Sequence, residues 1–203
     1  RLYLNTHSYG NTETSDLWDA IETAVSADGG EPVRELMDSW IWQPGYPLIL
    51  ASLNATKTRL ILQQQRFTFT PELLDDPQNW LVPIHIRING IETKYLLSDQ
   101  ALEIDIANDN AAIVVNAGGY GYYRVAYSPE LLSRLQGREL AQLATIERYS
   151  LVDDAWNAVV AGRLQAIDYI GFVSGFVDER DLAVWQAIAI GLRGCGRLLD
   201  EAN

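Results

Sequence analysis

The sequence predicts a multidomain protein with α and β parts: a helical segment, an antiparallel β-sandwich and then an α-helical array. The hydrophobic period along the 203 residues supports this, because it is helical at first, falls to two between about residues 48 and 127, and becomes helical again. Turn residues recur at short intervals in the middle part only. We therefore predict three domains, with the bounds 1–42, 43–128 and 129–203.

The first segment is predicted to hold two helices. Apolar residues recur every four positions in the first of them, at Leu17, Ile21 and Val25. Ser15 is its predicted N-cap, and Asp28-Gly29-Gly30 is predicted to end it. The second helix is predicted to start near Pro32, since proline suits the first helical position. Pro44 and Pro47 end helical structure, because proline disfavours the α conformation in the residue before it.

The middle segment is predicted to contain about seven or eight short strands. The clearest hairpin signal is Asn89-Gly90 between two alternating runs. Alternation places Ile84, Ile86 and Ile88 on one face of the first of these strands, and His85 and Arg87 on the other. Further along, "NAGGYGYY" (116–123) predicts a glycine-kinked hairpin between the last two strands.

The third segment is predicted to be helical throughout. Leu140, Leu143 and Ile146 fit one helix. Ser150 followed by Asp153 either forms a capping box or lies inside a continuous helix, and Gly162 is a natural C-cap. The last helix is predicted from an apolar stripe, which consists of Leu182, Trp185, Ile188 and Leu192.

Charge and composition exclude several classes of partner. The 15 Lys and Arg residues against 27 Asp and Glu give a net charge of −12, which repels nucleic acid and anionic lipid surfaces. The longest apolar run that could be considered as a membrane helix, 184–192, is far shorter than the roughly 18–20 residues that such a helix needs. The single cysteine, Cys195, cannot form an internal disulfide, which favours a reducing, cytoplasmic compartment.

The two histidines do not predict a metal site. Neither His7 nor His85 belongs to a His-Glu-x-x-His motif, which would set two imidazoles on one helix face around zinc. His85 is predicted to be solvated or hydrogen-bonded on its strand. His7, next to a predicted helix end, is predicted to be a capping or packing residue.

The other reactive groups are also predicted to be structural. Cys195 lies between two glycines, with no histidine near it in the sequence, and is predicted to be part of the core. The glycine-rich stretch 116–123 follows one strand and enters another, whereas a phosphate cradle must open a helix. Three adjacent acidic pairs are predicted to be solvated caps: Asp75-Asp76, Asp153-Asp154 and Asp178-Glu179. We therefore predict no catalytic, cofactor-binding or metal-binding residue in this chain.

Five separated motifs occur in an informative order. They are "YGNTETSDLWDAIETA", "PVRELMDSWIWQPGYPLI", "WLVPI", "NAGGYGYYRVAY" and "RYSLVDDAWNAVVAG". Together they resemble the zinc aminopeptidase N family of gluzincin metallopeptidases, and the resemblance extends from Leu2 to Leu199.

The resemblance implies that the catalytic residues lie outside this chain. In the family, the zinc ligands, the general-base glutamate, the transition-state tyrosine and the loop that holds the α-amino group all precede the stretch that matches Tyr9-Gly10-Asn11. By analogy, 1–42 are the last helices of a thermolysin-like catalytic domain, 43–128 the sandwich and 129–203 the start of the C-terminal helical domain. Zinc, the peptide substrate and the catalytic domain belong to the parent enzyme. Because the chain starts at Arg1 without Met, we expect it to be a cut piece.

The sequence leaves three hypotheses open. In the first, the chain is an inert part of a zinc aminopeptidase, in which the sandwich is a rigid spacer and the helices wall a chamber for unfolded peptides. In the second, it is a free-standing interaction module that lacks the peptidase. In the third, it is an enzyme whose nucleophile and base converge from distant segments. The first hypothesis predicts that Trp18, Trp40 and Trp42 are partly exposed, because the catalytic domain would normally cover them.

Overall fold

A computed structural model describes residues 1–26, 29–30, 32–70, 73, 77–107 and 110–201. Its helices are α1 (Leu2–Thr6), α2 (Thr14–Ser26), α3 (Val33–Ile41), α4 (Pro129–Ser133), α5 (Thr145–Val160), α6 (Ala166–Val173) and α7 (Leu182–Glu201). Its strands are β1 (Pro47–Leu53), β2 (Arg59–Arg66), β3 (Val82–Ile88), β4 (Ile91–Leu97), β5 (Leu102–Asp105), β6 (Ile113–Val115) and β7 (Arg124–Tyr127). The predicted fold class, helices followed by sheets and then by helices, is confirmed. Asp28, Asp75 and Asp76 lie outside the described residues.

The seven described strands form two sheets around one core. One sheet has the order β5-β2-β1-β7 and the other the order β4-β3-β6. Ile84 and Ile86 of β3 are buried in this core, whereas His85 and Arg87 are half-exposed on the other face, as the alternation predicts. The core contains residues from both sheets, among them Ile49, Leu60, Leu62, Trp80, Ile84 and Ile86. The two sheets therefore form a sandwich.

The hairpin between β3 and β4 is confirmed. Its two turn residues both have positive φ, 49° at Asn89 and 84° at Gly90, as a type I′ turn requires. The two strands then pair in register from Val82 opposite Leu97 to Ile88 opposite Ile91.

The predicted hairpin between the last two strands is wrong. β6 pairs with β3 in one sheet, whereas β7 pairs with β1 in the other and runs parallel to it. Gly118 and Gly119, with φ of 75° and 69°, carry the chain across the sandwich. The hydroxyl of Tyr127 links the strands instead: it accepts from the Val115 N–H at 2.8 Å and donates to the Val115 carbonyl at 3.1 Å. A side chain thus replaces the backbone ladder of a hairpin.

The third segment forms a second core, with two corrections to the sequence prediction. Leu140, Leu143 and Ile146 do not share a helix, because a 3₁₀ turn (140–142) precedes α5, which begins at Thr145. Ser150 and Asp153 lie inside α5, which was the alternative to the capping box. Gly162 follows the end of α5 with a φ of 70° and caps it, as predicted.

The face that α7 buries differs from the predicted stripe. Leu182, Trp185 and Leu192 are exposed, and the buried positions of this helix include Val184, Ala187, Ile188, Gly191 and Cys195. The reason is local packing: Gly191 abuts the ring of Tyr169, and Gly194 abuts Trp156. Small residues let α7 approach the aromatic side chains of α5 and α6 closely. The face of α7 that carries the glycines therefore packs against these helices, and part of the predicted apolar stripe faces outward.

The described residues of α1–α3 include none that is buried. Trp42 is 73% exposed, and Trp18 and Trp40 are half-buried, as predicted. α2 begins at Thr14, so Ser15 lies inside the helix and is not its N-cap. The carboxylate of Asp16 accepts from the Glu13 N–H at 2.8 Å instead. Among the helices described, none combines the length and apolar character that a bilayer crossing requires.

We predict that Gly191→Ala destabilises the protein and Gly196→Ala does not. A Cβ at Gly191 collides with the hydroxyl of Tyr169, which is fully buried, whereas a Cβ at Gly196 meets open space. Overpacking should lower the free energy of unfolding by about 1–3 kcal/mol in the first variant. The helix preference of alanine should raise it by about 0.5–1 kcal/mol in the second. Urea unfolding measures both, and equal stabilities would contradict the close α6–α7 contact.

Candidate functional site

The sandwich core and the helical core meet where β7 and β6 pack against α5. Val114 of β6 belongs to the helical core, while its neighbours Ile113 and Val115 belong to the sandwich core. Tyr127 of β7 contacts both cores. We call the polar cluster at this boundary the junction and define it by five charged residues: Arg87, Arg124, Glu147, Asp153 and Asp154. They come from β3, β7 and α5.

Arg124 is the centre of the junction. One of its guanidinium nitrogens, Nη1, donates to Asp153 Oδ2 at 2.6 Å and to Asp154 Oδ1 at 2.9 Å. The second carboxylate oxygen of Asp154 accepts from the backbone N–H of Val125 at 3.0 Å. Two consecutive residues of β7 are thus held by two consecutive residues of α5.

Aromatic side chains hold the other side of the Arg124 guanidinium. Its Nε donates to the hydroxyl of Tyr46 at 3.2 Å. Its central carbon lies 5.2 Å from the ring centre of Phe67, within the range of a cation–π contact. Tyr46 and Phe67 stack on each other with ring centres 5.3 Å apart. These contacts with residues next to β1 and β2 hold the guanidinium of Arg124 in place on the sheet side of the junction.

Burial and charge act in opposite directions on these groups. Burial lowers the pKa of Arg124, but the hydrogen bonds to Asp153 and Tyr46 outweigh it and the net shift is upward. Burial raises the pKa of Asp154 to about 7, although the Val125 N–H and Arg124 both favour the carboxylate form. For Asp154, the cost of desolvation therefore outweighs these favourable contacts.

The second ion pair joins β3 to the start of α5. Arg87 Nη2 lies 2.5 Å from Glu147 Oε2, and the Glu147 side chain is only 2% exposed. The two oxygens of Glu147 also accept from the backbone N–H groups of Gly118 and Ala144, both at 2.9 Å. Burial raises the pKa of Glu147, but these hydrogen bonds outweigh it, so the pKa lies below its ordinary value.

A third buried ion pair lies within the helical segment. Arg148 donates to Glu179 through Nε at 2.6 Å and through Nη2 at 3.0 Å. These bonds lower the pKa of Glu179 to about 2, with help from the N–H groups of Arg180 and Asp181. The pair ties the first turn of α5 to the loop before α7.

Two clefts open beside the junction. One, of about 300 Å³, lies next to Arg124 and is lined by side chains that include Tyr46, Tyr122, Tyr149 and Asp153. The other, of about 320 Å³, is more apolar and lies between α3, β3 and the loop before β7. Trp40, Met37, Pro83, His85 and Tyr120 are among the residues that line it. In the first cleft, Tyr46, Asp153 and Asp154 are all hydrogen-bonded to Arg124, and these bonds hold the sheet and the helix together.

The structure does not bring the two histidines together. His7 ends α1 and packs on Tyr3 with ring centres 5.3 Å apart, as a packing residue does. His85 is half-exposed on β3, with its ring 5.5 Å from that of Tyr120. Cys195 is buried in α7, where burial raises the pKa of its thiol. Across the described part of the chain, no three or more His, Cys, Asp or Glu side chains are grouped to hold a metal ion.

The prediction that the acidic pairs are solvated caps is wrong for Asp153-Asp154 and for Glu179, whereas Asp178 is exposed as predicted. Asp153 and Asp154 lie inside α5, and their contact with Arg124 explains why two acids stand mid-helix. The side chain of Glu179 is 2% exposed. The sequence contains one indication of this burial. Asp153-Asp154 directly follows the apolar pair Leu151-Val152, so the acids lie next to the buried face of the helix.

Comparison with known proteins extends the resemblance to named relatives. The chain is 30% identical over 99% of its length to "Tricorn protease-interacting factor F2" of Thermoplasma acidophilum. It is 30% identical over 99% of its length to "Puromycin-sensitive aminopeptidase" of Caenorhabditis elegans, and 35% identical over 86% to "Probable aminopeptidase 1" of Saccharolobus solfataricus. The chain belongs to the zinc aminopeptidase N family. It spans 24%, 22% and 21% of the lengths of these three relatives.

A family model described as the ERAP1-like C-terminal domain matches residues 112–203 of this aminopeptidase-family chain. The match begins just before β6 and includes β7 and all the helices from α4 onward. It therefore includes both the Arg124 side and the Asp153-Asp154 side of the junction. The last two strands of the sandwich and the helical segment belong to one matched unit, in agreement with β6 contributing to both cores.

We predict that Arg124→Leu lowers the free energy of unfolding by about 3 kcal/mol, since it leaves two carboxylates at the junction without their cation. Arg59→Leu is the matched control. Arg59 also binds two carboxylates, Glu103 at 2.8 Å and Asp105 at 2.9 Å, but all three side chains are at least half exposed, so the loss should be much smaller. Urea unfolding at pH 7 measures both variants. Equal losses would show that the junction is no stronger than a surface pair.

We predict that Glu179→Gln destabilises the protein at neutral pH and not in acid. A carboxyl whose pKa is depressed to about 2 in the folded state stabilises that state above its ordinary pKa, and this contribution is lost as the pH falls toward 2. The variant should lose about 2 kcal/mol at pH 7, and the difference from wild type should shrink steadily below pH 4.5. Thermal unfolding across this range tests it. A difference that stays constant would contradict the ionised Arg148–Glu179 pair.

Proposed function

We propose that this chain forms a non-catalytic part of a zinc-dependent aminopeptidase that removes N-terminal residues from peptides. The geometry of the junction is the observation that supports this role best. Arg124, Arg87 and Glu147 are each committed to ion pairs or backbone N–H groups, and together they fix the sandwich to the helices. Such a cluster holds two bodies in one orientation. The alignment of 99% of this chain with an aminopeptidase supports peptide hydrolysis as the reaction of the parent enzyme.

In this proposal the sandwich is a spacer and the helices are a wall. The sandwich of β1–β7 sets the distance between the catalytic domain and the helical segment. The junction then sets the angle at which α5, α6 and α7 extend from the sheets. A wall in this position would restrict the parent enzyme to unfolded peptides.

The N-terminal helices α1–α3 are proposed to belong to the catalytic domain of the parent. They carry apolar residues without burying any described one, and Trp42 is 73% exposed. Trp40 anchors α3 to the sandwich through a hydrogen bond from its Nε1 to the carbonyl of Leu81, at 2.9 Å. On this basis 1–42, 43–128 and 129–203 correspond to the end of a catalytic domain, a sandwich domain and the start of a helical domain. Zinc and the peptide substrate bind to the parent, and this chain is inert alone.

A peptidase assay tests the proposal. The natural full-length protein that contains this sequence should hydrolyse an aminoacyl p-nitroanilide, should lose that activity to a zinc chelator, and should regain it when zinc is restored. The 203-residue chain should show no turnover with or without zinc. Zinc-dependent turnover by the chain alone would overturn its proposed inertness. A full-length protein without aminopeptidase activity would overturn the proposed parent and favour an interaction module.

A further inference from the structure

The junction brings two carboxylates to a single guanidinium nitrogen. Asp153 and Asp154 lie 2.6 and 2.9 Å from Nη1 of Arg124, and Arg124 supplies the ion pair of both acids. Their side chains are 33% and 13% exposed. The cluster therefore carries one more negative than positive charge, and Asp154 is the acid of the pair that water reaches less. Charges of like sign that share a buried site favour binding of a proton.

The groups around this pair come from several elements. From the sheets, Arg124, Tyr123 and Tyr127 lie in or next to β7, and Tyr46 precedes β1. From the helices, Tyr169 of α6 interacts electrostatically with Asp153, and Glu147 lies two turns before Asp154 along the same wall of a small cavity. Glu147 is neutralised by Arg87. Burial raises the pKa values of Tyr123, Tyr127 and Tyr169, which therefore stay uncharged near neutral pH and do not cancel the excess charge.

We propose that the Asp153–Asp154 pair binds one proton near neutral pH, and that this proton makes the docking of α5 on β7 depend on pH. Asp154 is the more buried of the two acids and holds the backbone of Val125, so its charge state acts directly on the contact between helix and strand. Because the two carboxylates share one cation, a proton bound at one of them changes the interaction of the other with Arg124. The junction is then tighter with the proton bound than without it.

The direction of the pH effect follows from linkage. The pKa of Asp154 is raised to about 7 in the folded chain, chiefly by burial, from its ordinary value of 3.8. Between these two values the folded state binds more protons than the unfolded state. The contribution of this pair to stability therefore falls as the pH rises from about 4 to 7. This is opposite in sign to the contribution of Glu179.

Carbon-detected NMR of the aspartate carboxyl groups in the intact chain tests the proton directly. One aspartate should titrate with an apparent pKa above 6, well apart from the ordinary aspartate value of about 4. Asp153→Asn removes the neighbouring negative charge and should lower that pKa by about one unit. If every resolved aspartate of the wild-type chain titrates below pH 5, the proposal is overturned.

Hydrogen exchange tests the consequence for docking. After correction for intrinsic rates, the protection of α5 amides should fall about tenfold between pH 6 and pH 8 in the wild-type chain. Asp154→Asn should remove most of this dependence, and Asp105→Asn, at an exposed position on β5, should leave it unchanged. Equal pH dependence in wild type and Asp154→Asn would overturn the coupling. Should Asp154→Asn fail to fold, the wild-type titration still decides whether the proton exists.

Discussion

The rest of the structure depends on the need to neutralise Arg124. Its position on β7, between the sandwich core and α5, removes much of its solvent, and a guanidinium there is tolerated only if carboxylates face it. Asp153 and Asp154 meet that requirement from the middle of α5. Because they bind the guanidinium of Arg124, and Asp154 also binds the backbone N–H of Val125, the helix can neither slide nor rotate without leaving a charge unpaired. A contact made only of apolar side chains would allow both movements at smaller cost.

The apolar packing supports the same geometry. β6 presents Ile113 and Val115 to the sandwich core and Val114 to the helical core, so this short strand is buried on both faces. Tyr127 contacts both cores and bonds the backbone of Val115 through its hydroxyl. The boundary between the two cores is therefore a shared strand and a shared tyrosine. The ion pairs then fix the orientation of α5 relative to β3 and β7.

Local signals in the sequence predict most elements, and the failures lie where distant segments meet. Asn89-Gly90 and the alternating isoleucines of β3 predict their hairpin, since turn conformation and burial of one face are decided within a few residues. The crossing from β6 to β7 is not predictable in this way, because the partner of β7 is β1, some 75 residues earlier. The outward stripe of α7 likewise follows from aromatic rings of α5 and α6. In the sequence, Asp153 and Asp154 cannot be distinguished from solvated acids, because their contact with Arg124 forms only in the tertiary structure.

The central claim is that the junction makes the two cores one cooperative unit. Fluorine NMR of the chain labelled with 5-fluorotryptophan tests it most directly, because Trp80 lies in the sandwich core and Trp156 packs against the helical core. Their signals in urea report the unfolding of each core separately. The account predicts coincident transitions in the wild-type chain and separate ones in Arg124→Leu. Separate transitions in the wild type, or coincident ones in the variant, would contradict it.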